Sequence, residues 1–267
     1  MFPDLNSLTN FSEKSPPKRK FVLISDCQND GSFLIHHFLT MYIKGGFKVF
    51  FVALVQSFSH YNNVAQKLVS INLFICHLFI YLFNINFFPL LITLLSINLL
   101  PVRVNVDTGI FVFVCRGQTF TLQPLCNRIK SSLGKETKPC LLLIDDLTAL
   151  LSIGIHVQDV INFIHYCSTL MCYSPSMVHV NILTLVHNDN DVDDEESLLL
   201  WKQLCYVAHM ELHVRGLNSG YCKDVHGQLT ITSRDQNKVK HSSKVVQYKI
   251  HDKTVTCFAP GLSKAVL

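Results

Sequence analysis

Charged residues are scarce in this chain of 267 residues, of which 16% are Asp, Glu, Lys or Arg and 49% are hydrophobic. The net charge of +4 is too small to indicate nucleic-acid binding by itself. The length allows one large α/β domain or two small ones. The composition therefore bounds the size of the fold and leaves its function to be argued from particular segments.

Two further absences bear on the cellular compartment. None of the ten cysteines forms a C-x-x-C pair, and the polar, Pro- and Lys-rich N-terminus does not resemble a secretory signal. Scattered cysteines without export indicate reduced thiols. We therefore expect a cytoplasmic protein. The basic residues 15–20 could add nuclear import, although a solvated lead-in is the plainer interpretation. Residues 1–20 are expected to form a flexible N-terminal arm before a domain over residues 21–267.

The first half of the domain follows a strand–helix–strand pattern. Residues 21–24 are an apolar strand, residues 33–43 have helical spacing and end at Gly45 and Gly46, and residues 48–55 form a second strand. This order predicts a βαβ unit with a parallel sheet and a right-handed crossover.

Residues 138–147 are the segment on which the interpretation of the fold and of the site depends. An apolar run leads into Asp145 and Asp146, after which helical spacing continues over residues 147–172. A run that is apolar on both faces is typical of a central parallel strand, and ligands bind beyond the carboxyl ends of such strands. A hydrophobic strand ending in Asp is also the Walker B pattern, in which the Asp holds Mg²⁺.

The loop after the first strand can be compared with the phosphate-binding pattern G-x-x-x-x-G-K-[ST]. Asp26 occupies the first glycine position, Gly31 the second, Ser32 the lysine position and Phe33 that of the Mg²⁺-binding hydroxyl. Ser32 cannot replace a charge-assisted contact worth about 1.5–3 kcal/mol. Asp26 would repel a phosphate: two like charges 4 Å apart near a protein surface repel each other by about 4 kcal/mol. The sequence predicts a degenerate phosphate loop with no bound cofactor or metal and no catalytic residue.

Residues 70–109 are anomalous, because residues 69–102 contain no charged side chain and are rich in Leu, Ile, Phe and Asn. Three interpretations stay open: translation of a retained intron, a buried helix or strand, and a membrane span. Sequencing of the transcript would test the first. Residues 110–114 are predicted as a strand. Asn84, Pro89 and the βαβ context argue against the span, and we expect no membrane association.

The C-terminal third changes character. Residues 122–133 and 178–187 read as a helix and a strand, and residues 188–196 as a solvated acidic loop that fails the calcium-loop pattern. His209, Glu211 and His213 would share one side of a strand, and a half-exposed strand is a simpler interpretation than a metal site. Residues 227–232 and 246–258 alternate as antiparallel strands, with a turn at 251–253.

The assembled pattern resembles the RecA-like ATPase fold and, more closely, the family of sixth subunits of the Elongator complex. The matching strings are DGSFL (30–34), HHFL (36–39), FVALVQSFSHY (51–61), LIDDL (143–147), FIHYC (163–167), KDVHGQL (223–229), YKI (248–250) and AVL (265–267). The resemblance covers most of the chain and lapses between about residues 70 and 109.

The resemblance implies an α/β, RecA-like domain with a mainly parallel sheet flanked by helices and antiparallel C-terminal strands. It implies a non-catalytic subunit in a heterohexameric ring with the fourth and fifth Elongator subunits. That ring would bind transfer RNA during carboxymethyl-type modification of its wobble uridine, and through it the chain would contact the catalytic core. Two alternatives are an NTPase with an atypical nucleotide site and a single-pass membrane protein through residues 70–102.

Overall fold

The computed structural model describes residues 2–69, 78–84, 109–114, 122–133, 139–173, 180–189, 194–217, 220, 222–234 and 242–261. The helices of these residues are α1 (Pro3–Thr9), α2 (Ser32–Lys44), α3 (Phe58–Val69), α4 (Gln123–Leu133), α5 (Thr148–Ser152), α6 (Val157–Tyr173) and α7 (Glu195–Val207). The strands are β1 (Phe21–Cys27), β2 (Lys48–Ala53), β3 (Leu78–Asn84), β4 (Gly109–Val114), β5 (Cys140–Ile144), β6 (Val180–His187), β7 (Met210–Arg215), β8 (Gly227–Ser233), β9 (Ser242–Ile250) and β10 (Val255–Phe258).

The described strands form one ten-stranded sheet in the order β10-β9-β8-β7-β1-β6-β5-β2-β3-β4. All neighbouring pairs from β4 to β7 in that order are parallel. The three pairs that join β7, β8, β9 and β10 are antiparallel. The predicted α/β fold, with a mainly parallel sheet and antiparallel C-terminal strands, is therefore confirmed.

The two faces of the sheet are buried under separate layers of helices. Side chains alternate along β1, so that Val22 and Ile24 pack beneath α1, α2 and α3, while Phe21 and Leu23 pack beneath α4 to α7. All residues of β1 and of β5 are buried. A strand buried on both faces has no polar alternation, which explains the continuous apolar runs in the sequence.

The N-terminal segment differs from the expected arm, because it packs on the domain. Phe2, which precedes α1, and Leu5 within it are buried, and the Phe2 ring stacks on His37 with 5.4 Å between ring centroids. Asp4 Oδ2 accepts a hydrogen bond of 2.9 Å from the backbone N–H of Cys257 in β10. Strand edges carry unpaired backbone groups, and the short helix covers some of those of β10.

Two other expectations are refined by the structure. The helical spacing predicted over residues 147–172 is divided between α5 and α6, since Gly154 has a φ of +91° that ends the first helix. Within the anomalous segment, Leu78–Asn84 form β3, which pairs in parallel with β2. The rest of residues 70–108 lies outside the described residues. No helix in the described part of the chain is long and apolar enough to span a membrane.

Candidate functional site at the carboxyl edge of the sheet

The carboxyl ends of β1, β6, β5 and β2 lie side by side in that order, and we call the residues that follow them the carboxyl edge. Asp26 of β1 pairs with His187 of β6, and Ile144 of β5 pairs with Thr184 of β6 and Val52 of β2. The parallel arrangement thus gathers side chains that are distant in the sequence. This is the edge at which open α/β sheets bind ligands.

The loop after β1 uses its own carboxylates to satisfy the start of α2. The backbone N–H of Gly31 donates to Asp26 Oδ2 over 2.8 Å. The N–H of Ser32 donates to Asp30 Oδ1 over 2.7 Å, and the Ser32 hydroxyl donates to Asp30 Oδ2 over 2.8 Å. Free N–H groups at a helix start attract anions. Here both of these N–H groups already have an anionic acceptor from the chain itself.

Phe33 belongs to the core and not to the loop surface. Its side chain is buried, and its ring centroid lies 5.0 Å from that of Tyr248 on β9. A hydroxyl at this position would have been needed to bind Mg²⁺ in a phosphate loop. The structure therefore uses Phe33 to pack α2 against the antiparallel strands.

His187 connects two carboxylates that belong to different strands. Its Nδ1 lies 2.5 Å from Asp26 Oδ1, and its Nε2 lies 3.4 Å from Asp146 Oδ2. Asp146 Oδ1 also accepts hydrogen bonds from the backbone N–H and the hydroxyl of Thr148. The ends of β1, β6 and β5 are consequently joined by one carboxylate–imidazole–carboxylate bridge.

The bridge strongly favours a protonated imidazole. Hydrogen bonds with Asp146 and with Asp26 raise the pKa of His187 from 6.5 to about 10, and the Asp26 contact is the closer of the two. Partial burial of the ring opposes the rise. Because two carboxylates stabilise the cation, His187 carries a positive charge at neutral pH. It places that charge between two acidic side chains.

Asp145 turns away from this bridge, towards the end of β2. Its carboxylate accepts hydrogen bonds from the backbone N–H groups of Leu54 (2.7 Å) and Val55 (3.2 Å) and from the hydroxyl of Tyr61 (2.8 Å). Burial raises the pKa of Asp145 to about 6, even though these three hydrogen bonds act in the opposite direction. Asp145 therefore orients the loop after β2 and is not directed at open solvent.

An open groove of about 350 Å³ lies at the β2 end of the carboxyl edge. Its lining is aliphatic except for one carboxylate and one hydroxyl, and consists of Leu54, Val55, Asp146, Ala149, Leu150, Ser152 and Ile153. Val55 is 54% exposed, which is unusual for an aliphatic residue beside a strand end. The carboxyl edge thus has an acidic half at β1, β6 and β5 and an apolar half at β2.

The predicted site residues are only partly brought together. Asp26 and Asp146 meet through His187, whereas Asp145 contacts the β2 end. Sequence reasoning did not identify His187 as a site residue. The signal for His187 was its position at the end of an apolar strand, which is also where Asp26 and Asp145 stand in the sequence.

A second cluster of polar side chains lies on β7, where that strand pairs with β1. Glu211 is 8% exposed. Its carboxylate accepts hydrogen bonds from Ser25 Oγ (3.2 Å), Trp201 Nε1 (3.0 Å), Cys205 Sγ (3.3 Å) and Arg234 Nη2 (3.4 Å). The Nδ1 of His213 lies 2.9 Å from the Ser25 hydroxyl, and that of His209 accepts from the N–H of Phe21. In the described ranges, no group of three or more His, Cys, Asp or Glu side chains is arranged to hold a metal ion.

Comparisons with known proteins agree with one another. Residues 2–252 match a family described as Elongation complex protein 6. Elongator complex protein 6 of Xenopus laevis is 39% identical over 277 residues, and that of Homo sapiens is 37% identical over 277 residues; both matches cover the whole of each chain. The Dictyostelium discoideum protein of the same description is 27% identical over 105 residues, which cover 39% of this chain and 29% of that protein.

Proposed function

The chain belongs to the Elongation complex protein 6 family, and from this premise we propose that it is a non-catalytic subunit of the Elongator complex, built on a RecA-like domain with a degenerate phosphate loop. Its partners would be the fourth and fifth Elongator subunits in a heterohexameric ring. The ring would bind transfer RNA and support carboxymethyl-type modification of the wobble uridine, while another subunit performs the chemistry. We expect this assembly in the cytoplasm, and nuclear import through residues 15–20 is part of the same hypothesis.

The observation that carries the non-catalytic assignment is the occupied start of α2. The N–H groups of Gly31 and Ser32 donate to Asp26 and Asp30, so a phosphate would have to displace both carboxylates. Each charge-assisted hydrogen bond is worth about 1.5–3 kcal/mol. Displacement would also leave two negative charges beside a triphosphate without a lysine to neutralise them. Tight nucleotide binding through this loop is therefore unfavourable.

The alternative of an atypical NTPase would need a cation that reaches the phosphates from another part of the fold. Among the described residues, the cation in contact with the edge carboxylates is His187, and Asp26 and Asp146 already hold it. A residue engaged by two carboxylates is not free to bind a γ-phosphate. This supports the assembly role over nucleotide hydrolysis.

A calorimetric titration of the purified chain with ATP and Mg²⁺ tests the nucleotide part of the proposal. We expect no binding at ATP concentrations up to about 1 mM, which corresponds to a binding free energy weaker than about −4 kcal/mol. The same titration with a protein that is known to bind ATP serves as the positive control. Micromolar affinity would contradict the degenerate-loop assignment.

Co-expression with the fourth and fifth Elongator subunits, followed by purification through a tag on this chain, tests the assembly part. We expect a stable complex that contains all three proteins. Mass spectrometry of transfer RNA from cells lacking this chain should show loss of carboxymethyl-type wobble uridines. Failure to recover the two subunits would defeat the proposed role whatever the result with nucleotide.

A further inference from the structure

We propose that Ser15 is a phosphorylation site for a proline-directed protein kinase that also requires a basic residue three positions after the serine. Residues 15–18 read Ser-Pro-Pro-Lys, and the loop that contains them exposes Ser15 to solvent. The proposal goes beyond the assembly role above and does not depend on it.

The residues that follow Ser15 carry the recognition features. Pro16 comes directly after the serine, and of the nine prolines in the chain only those at positions 16 and 175 follow a serine or threonine. Proline has no backbone N–H. A kinase pocket that offers no acceptor at this position therefore favours proline, because another residue would leave a buried donor unpaired. Lys18 supplies a cation for an acidic pocket of the kinase.

The loop between α1 and β1 is anchored at both ends and exposed at Ser15. On the side of α1, the Phe11 ring packs edge-on against a phenylalanine of α2, with 6.4 Å between ring centroids. On the side of β1, the backbone N–H of Lys20 donates to Asn181 Oδ1 over 3.0 Å. Between these anchors, Ser15 and Lys18 lie outside the helices and strands and are exposed. A kinase can therefore reach the serine in the folded chain.

The internal contacts of the loop are few. The N–H of Ser15 lies 3.1 Å from both the carbonyl oxygen and the Oγ of Ser12, and the N–H of Ser12 donates back to the carbonyl of Ser15 over 3.2 Å. Hydrogen bonds of this kind contribute little when water competes for them. Pro17 is buried, so the loop has to lift it from its contacts when a kinase binds. A residue before proline favours an extended backbone, which suits an acceptor serine.

The proposed modification is a phosphoryl transfer from ATP. The Ser15 Oγ attacks the γ-phosphorus of ATP, and a new O–P bond forms as the bond from that phosphorus to the β–γ bridging oxygen breaks. ADP leaves with the electrons of the broken bond. The hydroxyl proton passes to the catalytic aspartate of the kinase.

The phosphate would change the charge of a basic segment. Residues 14–20 contain Lys14, Lys18, Arg19 and Lys20 and no carboxylate. A phosphoserine carries about −1.5 to −2 charges at pH 7, which offsets nearly half of their positive charge. Phosphorylation should therefore weaken the attraction of this segment to anionic surfaces. The nuclear import proposed above for residues 15–20 depends on the same positive charge.

The first experiment measures transfer to the folded full chain. The chain is incubated with ATP and a purified proline-directed kinase of the stated preference, and the modified residues are located by mass spectrometry. We expect phosphate on Ser15, its loss in Ser15→Ala, and an initial rate at least tenfold lower in Lys18→Ala. Ser174 is a control within the chain, because proline follows it but Met177 stands at the third position. Its modification should be at least tenfold slower.

A peptide of residues 10–22 separates the sequence requirement from access in the fold. Phosphorylation of the peptide without phosphorylation of Ser15 in the folded chain would overturn the proposal, because the loop would then be inaccessible. Equal rates for the wild-type and Lys18→Ala chains would overturn the requirement for a basic residue. None of these outcomes bears on the assembly role, which is tested by recovery of the other subunits.

The second experiment tests the effect on charge. The phosphorylated chain should elute from a heparin column at a lower salt concentration than the unmodified chain, and Ser15→Glu should show a smaller shift in the same direction. Ser59→Glu is the matched control, since Ser59 is an exposed serine outside the basic segment, and its shift should be smaller than that of Ser15→Glu. Equal elution of the phosphorylated and unmodified chains would contradict the proposed effect.

Discussion

The carboxyl edge and the Glu211 cluster both keep carboxylates away from water, but they do so in different ways. Glu211 lies on β7 and contacts α7, and its donors include a guanidinium, an indole and a hydroxyl. At the carboxyl edge, one imidazole that is 49% exposed is shared by Asp26 and Asp146. The first arrangement depends on a cation that does not titrate, whereas the second depends on one that does.

The difference separates a structural anchor from an adaptable surface. Glu211 joins β1, α7, β7 and the residue after β8 through a single buried carboxylate. The carboxyl edge joins strand ends and leaves its β2 half open as a groove. We infer that disruption of the Glu211 cluster mainly lowers the stability of the fold, and that disruption of the carboxyl edge changes its surface and its response to pH.

The largest effect is expected for Glu211→Ala. The substitution leaves Arg234 and Trp201 Nε1 without their acceptor in a buried region, which should cost about 2–4 kcal/mol of unfolding free energy. Chemical denaturation at pH 7 measures the loss. Glu211→Gln is the control, because its amide oxygen can still accept from Trp201 and the loss should be smaller. If Glu211→Ala lowered the unfolding free energy no more than His187→Ala does, the Glu211 cluster would not be the more important of the two for stability.

His187→Ala should cost less, about 1–2 kcal/mol at pH 7, since hydrogen bonds to half-exposed charges are weakened by solvent. The folded pKa of His187, about 10, lies above its ordinary value of 6.5. Its contribution is therefore fully present below pH 6.5 and disappears as the pH rises through about 10. Denaturation curves of the wild-type and His187→Ala chains at pH 7 and pH 10.5 measure it. The difference in unfolding free energy between the two chains should be smaller at pH 10.5. An equal difference at both pH values would disprove the bridge.

Tyr61→Phe should cost about 1 kcal/mol at pH 8, because Asp145 loses one of its three donors. The pKa of Asp145 is already raised by burial to about 6, so the folded state is penalised as the pH rises through that value. Loss of the hydroxyl should raise this pKa further and make the cost smaller at pH 4 than at pH 8. Tyr206→Phe is the control, since Tyr206 is 85% exposed. A cost that does not vary with pH would argue against the Tyr61–Asp145 pair.

The smallest effect is expected for Ser32→Lys, which restores the lysine of the phosphate-loop pattern. Asp26 still occupies the N–H of Gly31, and Asp30 remains beside the introduced charge. We expect no measurable ATP binding by calorimetry and little change in stability. Micromolar binding by this single variant would show that the loop lacks only its lysine and that the internal carboxylates are a minor obstacle.

Much of the fold could be predicted from local patterns. The apolar runs of β1, β5 and β6 reflect burial on two faces, and the alternation of β8 reflects burial on one face; both are properties of the residues themselves. The break at Gly154 was not predicted, because helical spacing continues on both sides of a residue with left-handed φ. The packing of α1 was not predicted either, since a helix of seven residues has little sequence signal.

What the sequence determined by itself is the order of most strands along the chain and the acidic character of the strand ends, since both depend on residues close together in the chain. Only the tertiary structure decided which acids share a cation. His187 lies 161 positions from Asp26, and Asp145 lies 84 from Tyr61. These partners meet because parallel strands bring their carboxyl ends to one edge. The energy of each contact depends on burial and distance there, neither of which a local sequence pattern contains.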